Sequence, residues 1–228
     1  MSYKSSIEWC DATWNPIRGC SMVSHGCTNC YAMKVAHRFS GTGMAYDGLT
    51  KMTSAGPVWN GKITLVPKLL DQPLRWRRPR KIFVNSMSDL FHENVPDSFI
   101  AQVWNVMQNA NHHTFQILTK RPERMLSWVG KWFRSWPPLP NVWLGVSTED
   151  QATADERIPL LLKTPAAVRW ISAEPLLGPI DIRQYLEHNP VYISIKEFLD
   201  DDILRNRKMR IETTVTTQQE VPHDDATT

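Results

Sequence analysis

Three of the four cysteines in the chain, Cys20, Cys27 and Cys30, lie close together with the spacing C-x6-C-x2-C. Thiolates are soft ligands that suit Zn²⁺, Cu(I) and iron–sulfur clusters. A closed structural zinc site normally has four ligands. A site with three thiolates therefore takes a fourth ligand from elsewhere or leaves one coordination position open for chemistry. Residues 19–32, named the cysteine loop below, form the first candidate site.

A histidine inside the cysteine loop leaves a second interpretation open. His25 lies between Cys20 and Cys27, and as a fourth ligand it would complete a closed Cys₃His zinc site. The remaining cysteine, Cys10, lies in an extended apolar segment, and we expect it to be a buried thiol and not a ligand.

Length and composition are those of one globular domain. The chain has 228 residues, of which 42% are hydrophobic and 21% charged, with a net charge of +3. No apolar run approaches the roughly 20 residues of a membrane span, and the N-terminus lacks the apolar core of a signal peptide. We therefore predict a cytoplasmic protein with no membrane partner. In a reducing compartment, clustered cysteines favour metal binding or catalysis over disulfides.

The basic stretch at residues 75–81 contains five cations and one tryptophan in seven residues. We interpret it first as a solvated connector that leads into a strand. The alternative is contact with phosphates together with base stacking, which would make nucleic acid a partner.

The order of apolar runs predicts an α/β protein. We expect strands near residues 7–15, 81–85, 114–118, 142–146, 168–172 and 191–195. We expect helices near residues 31–39, 62–76, 96–109, 123–132 and 152–162, the last one kinked or ended by Pro159, and loops over residues 40–60. Alternating strands and helices, with connections long enough for crossovers, predict a parallel sheet of the βα barrel type, open or closed.

Several motifs resemble those of a known protein family. They are Thr13-Trp14-Asn15-Pro16, Gly26-Cys27 with Cys30-Tyr31-Ala32, Asn85-Ser86-Met87-Ser88-Asp89-Leu90-Phe91-His92, Leu118-Thr119-Lys120-Arg121-Pro122 and Ser172-Ala173-Glu174-Pro175-Leu176-Leu177. The chain is similar to an uncharacterised, often phage-encoded family with three cysteines, which itself resembles the radical S-adenosylmethionine (SAM) enzymes. The Cys-Tyr-Ala sequence also resembles that of spore photoproduct lyase. The common radical SAM spacing is C-x3-C-x2-C with an aromatic residue before the last Cys, whereas here the first gap is longer and Tyr31 follows Cys30.

The resemblance implies a parallel βα partial barrel with its cofactors at one mouth. Cys20, Cys27 and Cys30 would hold three irons of a [4Fe–4S] cluster, and the fourth iron would bind the amino and carboxylate groups of SAM. Polar side chains directly follow the predicted strands, at the edge where such sheets bind ligands. As cofactor-binding candidates these are Ser86, Ser88, Asp89, Lys120, Ser147, Glu149 and Glu174. His92 is the candidate for a proton step.

The C-terminal part departs from the family pattern. Related proteins carry a Gly-Gly-Glu-Ser strand and a Lys-Gln-Trp element after the position of Asp181, and this chain has neither. We therefore expect a single radical SAM-like domain over residues 1–199, atypical or truncated at its C-terminal end, and a polar, disordered tail over residues 200–228.

Two functions follow from the sequence. The first is a radical SAM enzyme of phage or prophage type, in which an electron donor reduces the cluster and SAM is cleaved to a radical that abstracts hydrogen from an unknown substrate, with nucleic acid a candidate. The alternative is a non-catalytic phage protein that binds zinc through Cys₃His and acts as a binding or assembly factor.

Overall fold

The computed structural model of the chain describes residue 5 and residues 7–132, 137–186 and 191–195. Within these residues, strands β1 to β10 are Ala12–Trp14, Ile17–Arg18, Thr50–Thr53, Gly56–Trp59, Thr64–Leu65, Lys81–Val84, Thr114–Thr119, Val142–Ser147, Val168–Ala173 and Tyr192–Ile195. Helices α1 to α5 are Tyr31–Arg38, Asp97–Asn109, Pro122–Trp132, Gln151–Lys163 and Arg183–Leu186.

Six of the strands form one parallel sheet in the order β1-β6-β7-β8-β9-β10. Spatial order follows chain order, so each new strand is added beside the previous one. This is the arrangement of an open βα partial barrel, and the predicted fold class is confirmed. The cysteine loop, α1 and the short strands β2 to β5 lie in the first crossover, between β1 and β6.

One face of the sheet is covered by helices. A single apolar cluster joins Ile82 and Val84 of β6 and Phe115 and Ile117 of β7 to buried residues of α2, α3 and α4. The helices contribute one stripe each, namely Phe99, Ile100, Val103, Val106 and Met107, then Met125, Trp128 and Val129, then Ala154, Ile158 and Leu161. Burial of this face, which we call the outer face, stabilises the sheet through the hydrophobic effect.

Side chains alternate along each strand, so residues one position away from the outer face point to the opposite side, the inner face. There Gly145 of β8 pairs with Trp170 of β9. The Trp170 ring lies across Gly145, and a Cβ atom at that position would lie 2.4 Å from Trp170 Nε1, which donates to the carbonyl of Ile117 at 3.2 Å. Glycine is therefore required at residue 145 by the close approach of an indole.

The helix predicted over residues 62–76 is wrong. The segment holds β5, which pairs with β2, and two short 3₁₀ turns, Pro67–Leu69 and Pro73–Arg75, each opened by a proline. A proline has no backbone N–H to continue a helix. The segment is stabilised instead by contacts with other parts of the chain. One of them is the hydrogen bond that Trp14 Nε1 donates to the carbonyl of Leu69 at 2.7 Å.

Two further expectations need correction. Residues 40–60 are not all loop, because β3 and β4 form an antiparallel hairpin. Its turn is formed by Ser54 and Ala55, and β4 begins directly after it at Gly56, whose φ is 110°. The helix α4 does not end at Pro159 but continues to Lys163.

The strand predicted over residues 191–195 is confirmed as β10, while residues 196–228, including the predicted tail, lie outside the described residues. Among the described helices, none has the length and apolar character needed to span a bilayer.

We predict that Gly145→Ala lowers the free energy of unfolding by about 1–3 kcal/mol, because the added methyl group overlaps the Trp170 ring. Urea denaturation measures the change. Gly130→Ala, in α3 with no heavy atom within 4 Å of the added Cβ, is the matched control and should raise stability by up to about 1 kcal/mol. Equal effects of the two substitutions would contradict the packing of Trp170 on residue 145.

Candidate functional site: a cysteine loop at the carboxyl edge of the sheet

The cysteine loop lies at the edge where the parallel strands end. Gly19 forms a parallel bridge with Ser88, which follows β6. Ser21 and Ser24 bond to side chains that follow β7 and β8. These segments come from different parts of the sequence, and the carboxyl ends of their strands bring them to one edge.

Arg121 joins the cysteine loop to the segments after β6 and β7. Its Nη2 donates to Ser21 Oγ at 2.7 Å, and its Nη1 lies 3.9 Å from Cys20 Sγ. The same guanidinium pairs with Asp89 at 3.1 Å and with Glu93 at 2.9 Å. Its side chain is only 11% exposed, so the two carboxylates supply charge compensation that water does not.

Asp89 is fully engaged inside the protein. Its carboxylate accepts hydrogen bonds from Thr119 Oγ1 at 2.8 and 2.9 Å, from the amide of Phe91 at 2.9 Å and from the amide of Lys120 at 3.2 Å. The ion pair with Arg121 adds a further contact. Asp89 therefore holds the two strand-end segments and Arg121 together.

Glu149 fixes the other side of the cysteine loop. Its carboxylate accepts from Ser24 Oγ at 2.9 Å, pairs with Arg157 at 3.1 Å and forms a short contact with Lys120 Nζ. A Cβ atom on Gly26 would lie 2.3 Å from the Glu149 side chain, so the loop backbone packs directly on this carboxylate. Burial raises the pKa of Glu149, but Lys120 and Arg157 outweigh that effect and hold the pKa below its usual value.

His92 is buried and has both ring nitrogens occupied. Nδ1 accepts from the amide of Asn94 at 3.1 Å, so the hydrogen-bond network assigns the proton to Nε2, which donates to Ser21 Oγ at 2.9 Å. Ser21 Oγ in turn donates to Glu93 at 3.0 Å. Burial, and then the charge of Arg121, lowers the pKa of His92 and favours the neutral ring. In this structure His92 orients Ser21.

The three thiols of the loop lie near enough to influence one another. Burial, and then the charge of Asp89, raises the pKa of Cys20 to about 12. Burial also raises the pKa of Cys30, and the charge of Cys27 raises the pKa of both thiols further. Cys20 and Cys30 pack against a small apolar cluster of Ala32, Met33, Ala36, Leu49, Trp59 and Met87. Among the described residues, no three His, Cys, Asp or Glu side chains are grouped around one ion position. Metal coordination would deprotonate these thiols and release protons.

The serine candidates after β6 lie beside the loop and donate to protein oxygens. Ser86 Oγ donates to Asn15 Oδ1 at 3.2 Å, and Ser88 Oγ donates to the carbonyl of Ile17 at 3.0 Å. A hydroxyl that donates still has lone pairs with which it can accept.

Lys120 connects the remaining candidates. Its amide contacts Asp89, its Nζ contacts Glu149, and the same Nζ lies 3.4 Å from the carbonyl of Glu174. Ser147 is buried, and its carbonyl accepts from Arg157 at 2.8 Å. The structure thus brings Asp89, Lys120, Glu149 and the carbonyl of Glu174 to one place.

Other residues singled out in the sequence lie elsewhere. His25 is exposed, and its charge lowers the pKa of Asp150 as the last of several causes, after the hydrogen bonds from Thr153. The basic stretch precedes β6 at the amino edge of the sheet, where the Arg80 guanidinium lies 4.9 Å from the Trp76 ring centre. It does not line the cysteine loop. Cys10 is buried, as expected.

Arg121 and Arg157 were missed as site residues. Arg121 follows Lys120 directly, and the sequence gives no reason to prefer it. The sequence could have indicated Arg157, because it lies on the same helical stripe as Ala154, Ile158 and Leu161, all of which are buried. A charged residue on an apolar stripe indicates a buried ionic partner.

Comparisons with known proteins give a family and one weak structural likeness. The model of a family described as "Protein of unknown function (DUF5131)" matches residues 4–199. A solved structure, "Spore photoproduct lyase complexed with dinucleoside spore photoproduct", resembles the chain with 11% identity and a TM-score of 0.43. The match covers 76% of this chain and 48% of that one, so the chain spans about half the length of that lyase. No functionally curated protein matches the chain.

We predict that Glu149→Gln lowers the free energy of unfolding by about 3 kcal/mol, because it leaves the Arg157 guanidinium, 1% exposed, without its counter-charge. Urea denaturation at neutral pH measures this. Asp181→Asn removes one partner of Arg183 in an exposed pair and is the control, for which we expect no measurable change. A Glu149 variant as stable as the control would show that Arg157 does not depend on this carboxylate.

The same variant gives the pH dependence a definite sign. Because the folded pKa of Glu149 is lowered from 4.5, its contribution is fully present above that pH and is lost as pH falls through the lower folded value. The stability difference between parent and Glu149→Gln should therefore shrink on acidification below about pH 4.5.

Proposed function

The chain belongs to the family of proteins of unknown function DUF5131, and we propose that this protein is an iron–sulfur, SAM-dependent radical enzyme. The observation that carries the proposal is the placement of three thiols in one loop at the carboxyl edge of a parallel βα sheet, fixed there by Arg121 and Glu149. Enzymes with parallel βα barrels bind their ligands at this edge.

The donor set fits a cluster in its chemistry. Iron–sulfur clusters are held by cysteine thiolates, and Cys20, Cys27 and Cys30 would each hold one iron. The fourth iron would remain open for the amino and carboxylate groups of SAM. The Arg121 guanidinium, 3.9 Å from Cys20 Sγ, places a positive charge beside the thiolate that metal binding creates. When bound, the cluster supplies the electron for reductive cleavage of SAM.

The side chains around the loop then divide into two groups. Ser86 and Ser88 keep lone pairs that could accept from the SAM ammonium group. Glu174, next to Lys120, lies where a further polar contact to cofactor or substrate would fall. Asp89 and Glu149 act differently from the sequence-based expectation, because both carboxylates are occupied, and we propose them as positioning residues that hold Arg121, Lys120 and the loop.

His92 and Ser147 also have supporting parts in this proposal. His92 orients Ser21, which contacts Arg121, and Ser147 provides the carbonyl that fixes Arg157. A direct proton step by His92 would require the Ser21 contact to open.

The alternative, a zinc-binding assembly factor with a Cys₃His site, needs His25 as the fourth ligand. His25 is exposed on the surface of the cysteine loop, whereas the three thiols are partly buried. Phage origin and a cytoplasmic location remain predictions under both hypotheses, and an electron donor remains a prediction of the enzyme hypothesis.

We predict that the protein, reconstituted anaerobically with iron and sulfide, binds about four irons and absorbs broadly near 400 nm. Cys27→Ala and Cys30→Ala should each lose most of that iron, because each removes one ligand. Cys10→Ala is the matched control and should retain it, since Cys10 lies outside the C-x6-C-x2-C motif and its Sγ donates to Ser5 Oγ at 3.2 Å. Stoichiometric zinc with no uptake of iron would refute the cluster and favour the Cys₃His alternative.

A further inference from the structure

Helix α1 exposes apolar side chains on the face opposite its buried stripe. The buried stripe packs into the small apolar cluster and consists of Ala32, Met33 and Ala36. Tyr31, Val35 and Phe39 follow one another at intervals of four residues, so they share the other side of the helix. They are 44%, 36% and 46% exposed. A surface helix normally presents polar residues to water, and an exposed apolar patch marks a surface that another molecule covers.

The exposed apolar surface of the chain is concentrated around this helix. Of the nine large hydrophobic side chains that are exposed in the described part of the chain, seven lie within residues 22–52. Besides the α1 stripe they are Met22 and Val23 in the cysteine loop and Met44 and Met52 after α1. The strand β3, which carries Met52, lies beside α1, because His37 Nδ1 and Thr50 Oγ1 are 3.1 Å apart. Methionine and aromatic residues are enriched at protein–protein interfaces.

Positive charge surrounds the apolar stripe. Residues 15–70 carry six cations and one acidic residue, Asp47, and thus a net charge of +5, whereas the whole chain has +3. Lys34 and Arg38 are exposed on α1 itself, and Lys51 is exposed on β3. Within the described part of the chain, none of these three cations forms an ion pair. Their charge is therefore available to attract an acidic partner.

The composition of this patch favours a protein over a nucleic acid as the partner. Phosphates are bound by cations and polar groups, and bases stack on aromatic rings. Val35, Met44 and Met52 supply neither kind of contact. An apolar centre with a charged rim is instead the anatomy of a protein–protein interface. Because α1 has only eight residues, the patch is small, which is typical of the short-lived complexes of electron-transfer proteins.

The patch begins at the thiols of the cysteine loop. Tyr31 directly follows Cys30, and its hydroxyl donates to the carbonyl of Ser86 at 3.4 Å. At the other end of the loop, the exposed Met22 lies two residues after Cys20. A protein bound to the outward side of α1 therefore lies against the segment that carries the thiols, where an electron carrier must approach.

We propose that the outward face of α1 docks an acidic one-electron carrier protein. Val35 and Phe39 form the apolar centre of the contact, and Lys34 and Arg38 pair with carboxylates of the carrier. One electron leaves the reduced flavin or iron–sulfur centre of the carrier and enters the cluster, and no bond is formed or broken. Opposite charges steer and orient such encounters. As the identity of an electron donor, the carrier rests on the proposed function, but its docking requires only the folded surface.

Calorimetric titration of the full-length, iron-free protein with an acidic flavodoxin at low ionic strength tests the docking. The parent should bind flavodoxin, and Lys34→Glu combined with Arg38→Glu should weaken binding at least about tenfold, because two attractive contacts become repulsive. Val35→Ser and Phe39→Ser should each weaken binding in the same direction. The four altered side chains are exposed, so urea midpoints should stay close to that of the parent.

A charge reversal elsewhere is the matched control. Lys131 is exposed in the last turn of α3, a helix that begins after β7 at the carboxyl edge and runs away from it. Lys131→Glu should leave flavodoxin binding unchanged, and cytochrome c, a basic one-electron carrier, should not bind the parent. Flavodoxin that does not bind the parent, or that binds the double variant as tightly, overturns the proposal.

Two other occupants of the face are outcomes of the same test. If flavodoxin does not bind, but a short DNA duplex binds and the α1 substitutions abolish that binding, the face belongs to a nucleic acid. If the iron-free parent forms dimers in analytical ultracentrifugation and Val35→Ser and Phe39→Ser dissociate them, the face belongs to a second copy of the chain. Either result overturns the assignment to an electron carrier.

Reduction of the reconstituted cluster separates this inference from the proposed function. With reduced flavodoxin as donor, Val35→Ser and Phe39→Ser should slow bleaching near 400 nm about tenfold through weaker docking. With dithionite, a small reductant that needs no docking surface, both variants should react as fast as the parent. If flavodoxin reduces parent and variants equally fast, the docking surface is wrong although the cluster exists. If no cluster forms, the proposed function fails, and the calorimetric result alone decides whether the carrier docks.

Discussion

The buried charges at the carboxyl edge are the constraint on which the site depends. An ionised side chain removed from water is costly unless an opposite charge and hydrogen bonds surround it. Here the guanidiniums of Arg121 and Arg157 and the carboxylates of Asp89 and Glu149 are nearly or fully buried, and their partners come from segments far apart in sequence. The charges are satisfied only when these segments meet at the same edge, so pairing fixes the relative position of the strand ends and of the cysteine loop.

This constraint also explains why the loop carries small and polar residues beside its cysteines. Gly26 leaves room for the Glu149 carboxylate, and Ser21 and Ser24 supply hydroxyls that complete the bonding of Arg121 and Glu149. The loop is hydrogen-bonded to Arg121 and Glu149, and Cys20 and Cys30 pack against the small apolar cluster. A site supported in this way loses little conformational freedom when it binds a ligand, which favours preorganised chemistry.

The sequence predicted the sheet because its strands are buried and apolar, and it predicted the edge because polar residues follow each strand. Prediction failed where tertiary pairing overrides the local pattern. Residues 62–76 have a helical spacing of apolar residues, yet the pairing of Leu65 with Ile17 and the two prolines impose a different path. Asp89 and Glu149 were correctly placed at the edge, but their partners Arg121 and Arg157 are fixed by three-dimensional proximity that spacing does not reveal. The set of residues that share the inner face could not be predicted either, because it depends on the register between strands.

The central claim is that the cysteine loop holds a cluster with one open iron. Electron paramagnetic resonance of the anaerobically reconstituted and reduced protein, recorded with and without SAM, tests it most directly. We expect the signal of a reduced [4Fe–4S] cluster whose line shape changes when SAM is added, because the open iron gains new ligands. A protein that yields no cluster signal, or a cluster signal that SAM leaves unchanged, would contradict the claim.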